Sequence, residues 1–432
     1  MKRRDFLALT AAAPMLASVP EISFAEVTQF PTAKAYVCEL IADEQFNGAV
    51  TLIHRQGKPD FVDVAGTMDG EKKLPMQRDA IFALASMTKP ITSVATLMLV
   101  EQGKFKLEDS VEKWLPELAN RKVLRKPDGP LDDTVPSPRS LTVADLLSFR
   151  CGYGTNGAPG PFQQAQRAAS TSRLNEIDGN SFLKALSPIP LQYAPGEHWL
   201  YDVGADIMGV LIARVTGKSF GDFIQQNIFA PLKMKDTSFF IPPEKQSRIA
   251  QFPKGRAMLS PLDAPPKFES GGHGLNSTAD DYLRFTKMLL NNGTLDGTRI
   301  LKAKSVESMY VDRLKPEEHK EGGFFNRYPG RGFGYMVAVR SEAMAIGPSV
   351  GSFNWAGATG VWFVIDPPRK MITVVMVQHP MGGGPPPGAM PVNAPPPPPP
   401  PPTSSKKYLS QLDWNDAFQK AVYTDVVNEK GK

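Results

Sequence analysis

The feature that most constrains this chain is the stretch Ile81-Phe82-Ala83-Leu84-Ala85-Ser86-Met87-Thr88-Lys89-Pro90. Its first five residues form an apolar run that reads as a buried strand. After Pro90, apolar residues fall at Ile91, Val94, Ala95, Met98 and Leu99, which is helix period, and Gly103 supplies the stop. Ser86 therefore stands where a buried strand becomes a long buried helix. Lys89 follows three residues on and shares its helix face. A serine is a poor nucleophile at neutral pH and needs a neighbour to help remove its proton. Here an amine sits beside the hydroxyl, and a helix N-terminus favours the negative charge that develops.

The spacing alone is weak, because Ser181-Phe182-Leu183-Lys184 and Ser404-Ser405-Lys406-Lys407 repeat it. Context separates the three. Ser181 begins a short amphipathic piece with no strand before it. Ser404 lies in a proline-rich linker. Only Ser86 has the strand-to-helix setting that exposes a nucleophile on a rigid support.

A chain of 432 residues, 41% hydrophobic, can bury a large core and is expected to form one large catalytic unit. Its net charge of +5 includes no basic block beyond Lys2-Arg3-Arg4, which is too diffuse for nucleic acid. The histidines at 54, 198, 273, 319 and 379 are scattered and show no metal-ligand spacing, so neither a metal nor another cofactor is expected.

The N-terminus reads as a signal peptide. Lys2-Arg3-Arg4-Asp5-Phe6-Leu7 precedes an apolar stretch over 7–19, and Ser23-Phe24-Ala25 offers small residues for cleavage before Glu26. The twin-arginine signature implies export to the periplasm of an already folded protein. The apolar stretch is too short to anchor the mature form in a membrane. Cys38 and Cys151 each lie near apolar residues, and both are expected to be buried structural thiols, although an oxidising compartment permits a bridge.

Strand patterns occur at 47–54 and 61–65 and return at 335–340, 360–365 and 371–378, with Asp366-Pro367-Pro368-Arg369 as a hairpin turn. Between them, helical patterns at 143–149, 205–215, 220–228 and 278–290 are separated by Pro/Gly loops. Ser277-Thr278 offers capping chemistry for the last of these. Strands at both ends with helices between imply one sheet closed from both termini, with a mostly helical subdomain inserted at about 105–260. Residues 381–405 are low-complexity, with unbroken proline from Pro395 to Pro402, and should form an extended surface loop. The amphipathic stretch 414–427 should return as a helix packed on the sheet.

These residues resemble the class C β-lactamase and penicillin-binding serine hydrolase family over roughly 35–380 and the last helix. Four blocks carry the likeness, in order: Ala85-Ser86-Met87-Thr88-Lys89-Pro90; Pro195 to Gly204 around Tyr201; Gly271 to Asp280; and Trp355-Ala356-Gly357-Ala358-Thr359-Gly360. The resemblance implies an α/β (α+β) fold of the β-lactamase/DD-peptidase type, a central antiparallel sheet flanked by helices. It implies that Ser86 forms an acyl-enzyme, with Lys89 and Tyr201 as its general-base pair. A phenolate beside the Lys89 ammonium is stabilised, so the Tyr201 pKa is expected to fall. The backbone N–H groups of Ser86 and Ala358 would form the oxyanion hole.

The departures from the family pattern narrow the activity. The family's β-lactamases and peptidases carry Tyr-x-Asn and Lys-Thr-Gly. Here Val203 and Trp355-Ala356-Gly357 stand instead. The cation that would hold a substrate carboxylate is gone, and losing a charged hydrogen bond costs about 1.5–3 kcal/mol. An apolar wall of Trp355, Gly357 and Val203 suits neutral acyl esters, as in the family VIII carboxylesterase branch. The expected activity is hydrolysis of a small-molecule carboxylic ester. D-amino acid peptidase or amidase, weak β-lactamase, acyltransferase and a non-catalytic ligand-binding homologue are the alternatives. A homo-oligomer stays open.

A competing motif is Gly347-Pro348-Ser349-Val350-Gly351, a G-x-S-x-G elbow with Asp366 and His379 following in triad order. The elbow needs a strand before it and a helix after it, and no helical period follows Ser349. Ser349 is therefore read as part of a glycine-rich loop near the pocket.

Overall fold

The computed structural model describes residues 29–71, 73–155, 160–169, 177–253, 264–319, 330–379, 409 and 411–430. The signal peptide and the proline-rich loop expected above lie outside these residues.

The strand Gly48–Arg55 organises the molecule. Its first six residues are buried, a continuous run that requires cover on both faces. It pairs antiparallel with Met371–Val377 on one side, from Ala49↔Val377 to Arg55↔Met371, and with Phe61–Asp69 on the other. Among the described residues the sheet has eight strands, ordered Arg331–Phe333, Ala338–Arg340, Phe353–Ala356, Trp362–Asp366, Met371–Val377, Gly48–Arg55, Phe61–Asp69, Leu74–Pro75. The N-terminal and C-terminal parts of the chain thus complete one sheet, as the strand patterns imply.

Side chains alternate across it. Ala49, Ile53, Met371, Val375 and Val377 face the helices Pro31–Ala42 and Gln411–Lys430 in one cluster with Phe30, Val37, Trp414, Phe418 and Val422. Val50, Leu52, Ile372, Val374 and Met376 face the other way, into the larger core that holds the remaining helices. The last helix does pack back on the sheet. Its Asp425 accepts the N–H groups of Thr32 and Ala33, which open the first helix.

The helix Thr88–Glu101 runs through the larger core, and every residue from Thr88 to Leu99 is buried. Its buried polar side chains Lys89, Thr92 and Thr96 are hydrogen-bonded there, to Gly272, Gly271 and Thr92. It packs against Val203–Thr216. The helix Ala279–Leu290 is capped by Thr278, whose side chain accepts the Asp281 N–H at 3.2 Å.

Four expectations are corrected. The strand before Ser86 is only Phe82–Ala83, and it pairs with Asn276–Ser277 outside the large sheet. The pattern at 335–340 is half of a hairpin: Arg331–Phe333 and Ala338–Arg340 pair around a turn in which Met336 adopts φ 58°. Cys38 is exposed on the first helix, while Cys151 is buried and its thiol is pushed up to about 12 by that burial. The Ser349 loop precedes Phe353–Ala356, so it sits at the end of that strand remote from Trp355 and Ala356.

Candidate active site

Ser86 lies in one tight helical turn, Ala85–Met87, that runs directly into Thr88–Glu101. Ala85 holds a left-handed φ of 44°, a conformation uncommon for a residue with a Cβ. The strained residue turns the chain sharply between the strand and the helix. Lys89 follows on the same face with its Nζ 3.1 Å from Ser86 Oγ.

The Lys89 ammonium is fully buried. Besides Ser86 it donates to the Gly272 carbonyl at 2.8 Å and pairs with Asp202 Oδ1 at 2.6 Å. Ser86, Gly272 and Asp202 thus all lie within reach of its three N–H donors. Burial works against the charge, but the negative charges of Asp202 and of a Tyr201 phenolate outweigh it and hold the amine above the ordinary lysine range. Nζ lies 4.6 Å from the Tyr201 ring centroid.

The Tyr201 segment is pinned from several sides. Tyr201 exchanges both backbone hydrogen bonds with Thr155, at 2.9 and 3.0 Å. The Trp199 N–H donates to Glu318 Oε1 at 3.0 Å, and Glu318 forms a buried ion pair with Arg150. The Tyr201 hydroxyl hydrogen-bonds with Ser86 and Lys89. Its pKa does not fall as expected from the ammonium alone. Burial raises it, Lys89 pulls it down by less, Asp202 adds to the rise, and the net direction is upward.

The loop after Ser270 presents the Gly272 carbonyl to Lys89. Asp206, one turn into the helix Val203–Thr216, accepts from the Ser270 hydroxyl and from the Gly272 N–H at 3.1 Å. Thr92 holds the Gly271 carbonyl at 2.6 Å. A Cβ on Gly271 would come within 2.1 Å of the Ala205 carbonyl, so only glycine fits there. Burial raises the pKa of the Asp206 carboxyl.

On the sheet side, the turn 356–360 abuts the Ser86 segment. Thr359 Oγ1 donates to the Ala83 carbonyl at 2.6 Å. Gly357 presses on Leu84, whose carbonyl would lie 2.1 Å from a Cβ, and donates its own N–H to Val361 at 2.9 Å. Ala358 stands half-buried at the tip. The wall beside Tyr201 is aromatic. Trp355 and Phe149 lie 5.5 and 5.4 Å from its ring, and Phe333 packs on Trp355 at 5.3 Å.

The structure therefore brings together Ser86, Lys89, Tyr201, Trp355 and the turn bearing Gly357 and Ala358. Val203 is placed otherwise: it is buried in the larger core as the first residue of its helix. The polar group beside Lys89 is Asp202, one position earlier. Sequence reasoning passed over Asp202 and Asp206. The one legible signal was an acidic residue directly after the tyrosine.

The other serines are elsewhere. Ser181 and Lys184 are exposed on the helix Gly179–Leu186. Ser349 Oγ donates to Asp366 Oδ2 at 3.1 Å, and that oxygen also accepts from Tyr423 at 2.7 Å. Asp366 pairs with Met371 at one end of its hairpin, whereas His379 lies beyond Val377 at the other. No triad can form across that length of sheet.

A serine, a buried lysine and a tyrosine converging beside a large antiparallel sheet define a serine hydrolase of the β-lactamase and penicillin-binding protein fold. The beta-lactamase family model matches residues 33–389, and the chain belongs to that family. Protein Rv1367c of Mycobacterium tuberculosis is 36% identical over 350 residues, covering 77% of this chain and 86% of that one. Esterase EstB of Burkholderia gladioli is 28% identical over 355 residues, covering 76% and 84%. Among solved structures, EstCE1, described as a hydrolase with promiscuous acyltransferase activity, superposes with a TM-score of 0.71 at 22% identity over 91% of this chain and 97% of that one.

Proposed function

We propose that the protein hydrolyses carboxylic esters of neutral acyl groups through a Ser86 acyl-enzyme. The observation that carries this is the contact of Lys89 Nζ with Ser86 Oγ at 3.1 Å, beside Tyr201 and under an aromatic wall. The relative named EstB supports the ester class.

The reactive form of the Lys89–Tyr201 pair is the one that has lost a proton. With Lys89 paired to Asp202, that form is ammonium and phenolate. The phenolate takes the Ser86 proton as Oγ bonds to the ester carbonyl carbon. The resulting oxyanion is held by the N–H groups of Ser86 and Ala358; removing one such donor costs about 10²–10³ in rate in other enzymes. Tyr201 then protonates the departing alkoxide, leaving the acyl group on Ser86. Water gives a proton to Tyr201, attacks the acyl carbon, and Ser86 leaves with that proton returned. Both pKa directions, upward for Lys89 and for Tyr201, keep the pair protonated to high pH, so turnover rises toward alkaline pH.

Trp355 stands where other members hold a lysine, so the cation that would hold a substrate carboxylate is missing at that position, which disfavours penicillins and D-alanyl peptides. Transfer of the acyl group to an alcohol in place of water is the second reading. It is favoured by the aromatic wall, which suits an organic acceptor.

The test is a short-chain chromogenic ester and a chromogenic cephalosporin offered to wild type and Ser86→Ala. Ester turnover in wild type, falling to the uncatalysed background in Ser86→Ala, with little cephalosporin cleavage, is the expected result. Turnover that survives Ser86→Ala would refute the assignment.

A further inference from the structure

Consecutive side chains on an extended strand point to opposite sides. Tyr201 and Asp202 break this rule, because both reach one ammonium. Nζ of Lys89 is 4.6 Å from the Tyr201 ring and 2.6 Å from Asp202 Oδ1. The backbone explains how. Asp202 has φ 99° and ψ −73°, outside the regions open to residues with a Cβ, so its backbone is strained. Tyr201 before it is fixed by its pairing with Thr155, and the helix after it starts at Val203 with Ala205 donating to the Asp202 carbonyl at 3.0 Å. The strain is held from both sides, and what it achieves is the delivery of a carboxylate to Lys89.

We propose that Asp202 is a positioning residue for the reaction: it keeps the shared proton of the Lys89–Tyr201 pair on Lys89 and thereby sets the acid limb of the rate profile. This rests on the Ser86 acyl-enzyme reading above. Fully protonated, the pair is ammonium and phenol, and it cannot accept the Ser86 proton. A carboxylate at 2.6 Å favours the ammonium and opposes a phenolate nearby, so it raises the pH at which the pair gives up its first proton. The other ionisable groups facing Asp202 are Lys89 from the Ser86 helix, Tyr201 beside it, Asp206 in the following helix, and His273 in the Ser270 loop. Asp206 already has its own work, since it accepts from Ser270 and Gly272. Asp202 Oδ1 pairs with Lys89 at 2.6 Å, and 36% of its side-chain surface remains open.

Asp202→Asn is the informative change. Asparagine tolerates positive φ about as well as aspartate and can still accept from Lys89, so the backbone and the hydrogen bond persist while the charge goes. The measurement is kcat/KM for a chromogenic ester from weakly acid to alkaline pH. In parallel, the rate of fluorophosphonate labelling at Ser86 is followed over the same range, and unfolding is checked by circular dichroism. The acid limb should move down by about 1–3 units in Asp202→Asn, the range seen for removing an opposite charge at such distances, with the plateau retained. Asp202→Ala should show the same displacement with a lower plateau, because Lys89 also loses an acceptor. An acid limb that stays in place in both folded variants overturns the proposal. If wild type turns over no ester but labels at Ser86, and the labelling limb moves in Asp202→Asn, the proposal stands while the ester reading falls. Absence of labelling at Ser86 in wild type overturns both.

Discussion

Residues of one type take their chemistry from what surrounds them. Ser86 and Ser349 each sit in a short motif associated with nucleophilic serines, yet only Ser86 stands beside the amine and phenol on which the proposed mechanism draws. Ser349 donates to a carboxylate that also serves Tyr423, which ties a loop to the last helix. Ser349→Ala should therefore retain most of the ester turnover in the same chromogenic assay; loss of turnover without loss of folding would contradict the placement. The legible part of the site was the local part. Ser86 and Lys89 are three positions apart, and Tyr201 lies in a segment that resembles its family counterpart. The roles of Asp202 and Asp206 were not legible, because they depend on a strained φ and on a carbonyl contributed by Gly272, far along the chain. The direction of the Tyr201 pKa was misread for a related reason. A neighbouring cation is visible in a sequence, whereas the depth of burial that outweighs it is not.

Elements with their own start and stop signals were the best read. The helix Ala279–Leu290 begins where Thr278 caps it, with Asp280 and Asp281 in its first turn, and is followed by Asn291 at its C-cap and by Asn292 and Gly293, which take φ 52° and 89°. Thr278→Ala leaves the Asp281 N–H without its cap and should cost about 1 kcal/mol of stability, read as a lower midpoint in urea with an unchanged slope. An unchanged midpoint would show that the cap carries no net stability. The strand before Ser86 was read too long because the buried apolar run 81–85 extends past the two residues that form the strand. Phe82 and Ala83 pair with Asn276–Ser277, while Ile81 forms an isolated bridge to Ile249 and Leu84 donates to the Leu275 carbonyl at 2.9 Å. The apolar pattern at 335–340 hid a turn for the same reason. Phe333, Tyr335, Met336 and Val337 are all buried, so nothing polar marks the reversal.

At the scale of the molecule, strands at both ends of the sequence predicted a sheet completed from both termini, and the register bears this out in Ala49↔Val377 and its neighbours. The helical region between was legible as composition and periodicity, but its assembly around the Ser86 helix was not. Burial of all residues from Thr88 to Leu99 is a property of the finished core. That central pairing has a consequence for how the protein is made. A ribosome releases Gly48–Arg55 early and Met371–Val377 late, so the first strand waits through most of synthesis for one of its two neighbours. Chaperones therefore meet a long nascent chain with an apolar segment unpartnered on one edge. Ribosome-bound chains of increasing length should stay protease-sensitive throughout until residues 371–377 have emerged, and then become resistant in a single step. Resistance of the first strand in chains that end before residue 371 would mean that it finds shelter elsewhere.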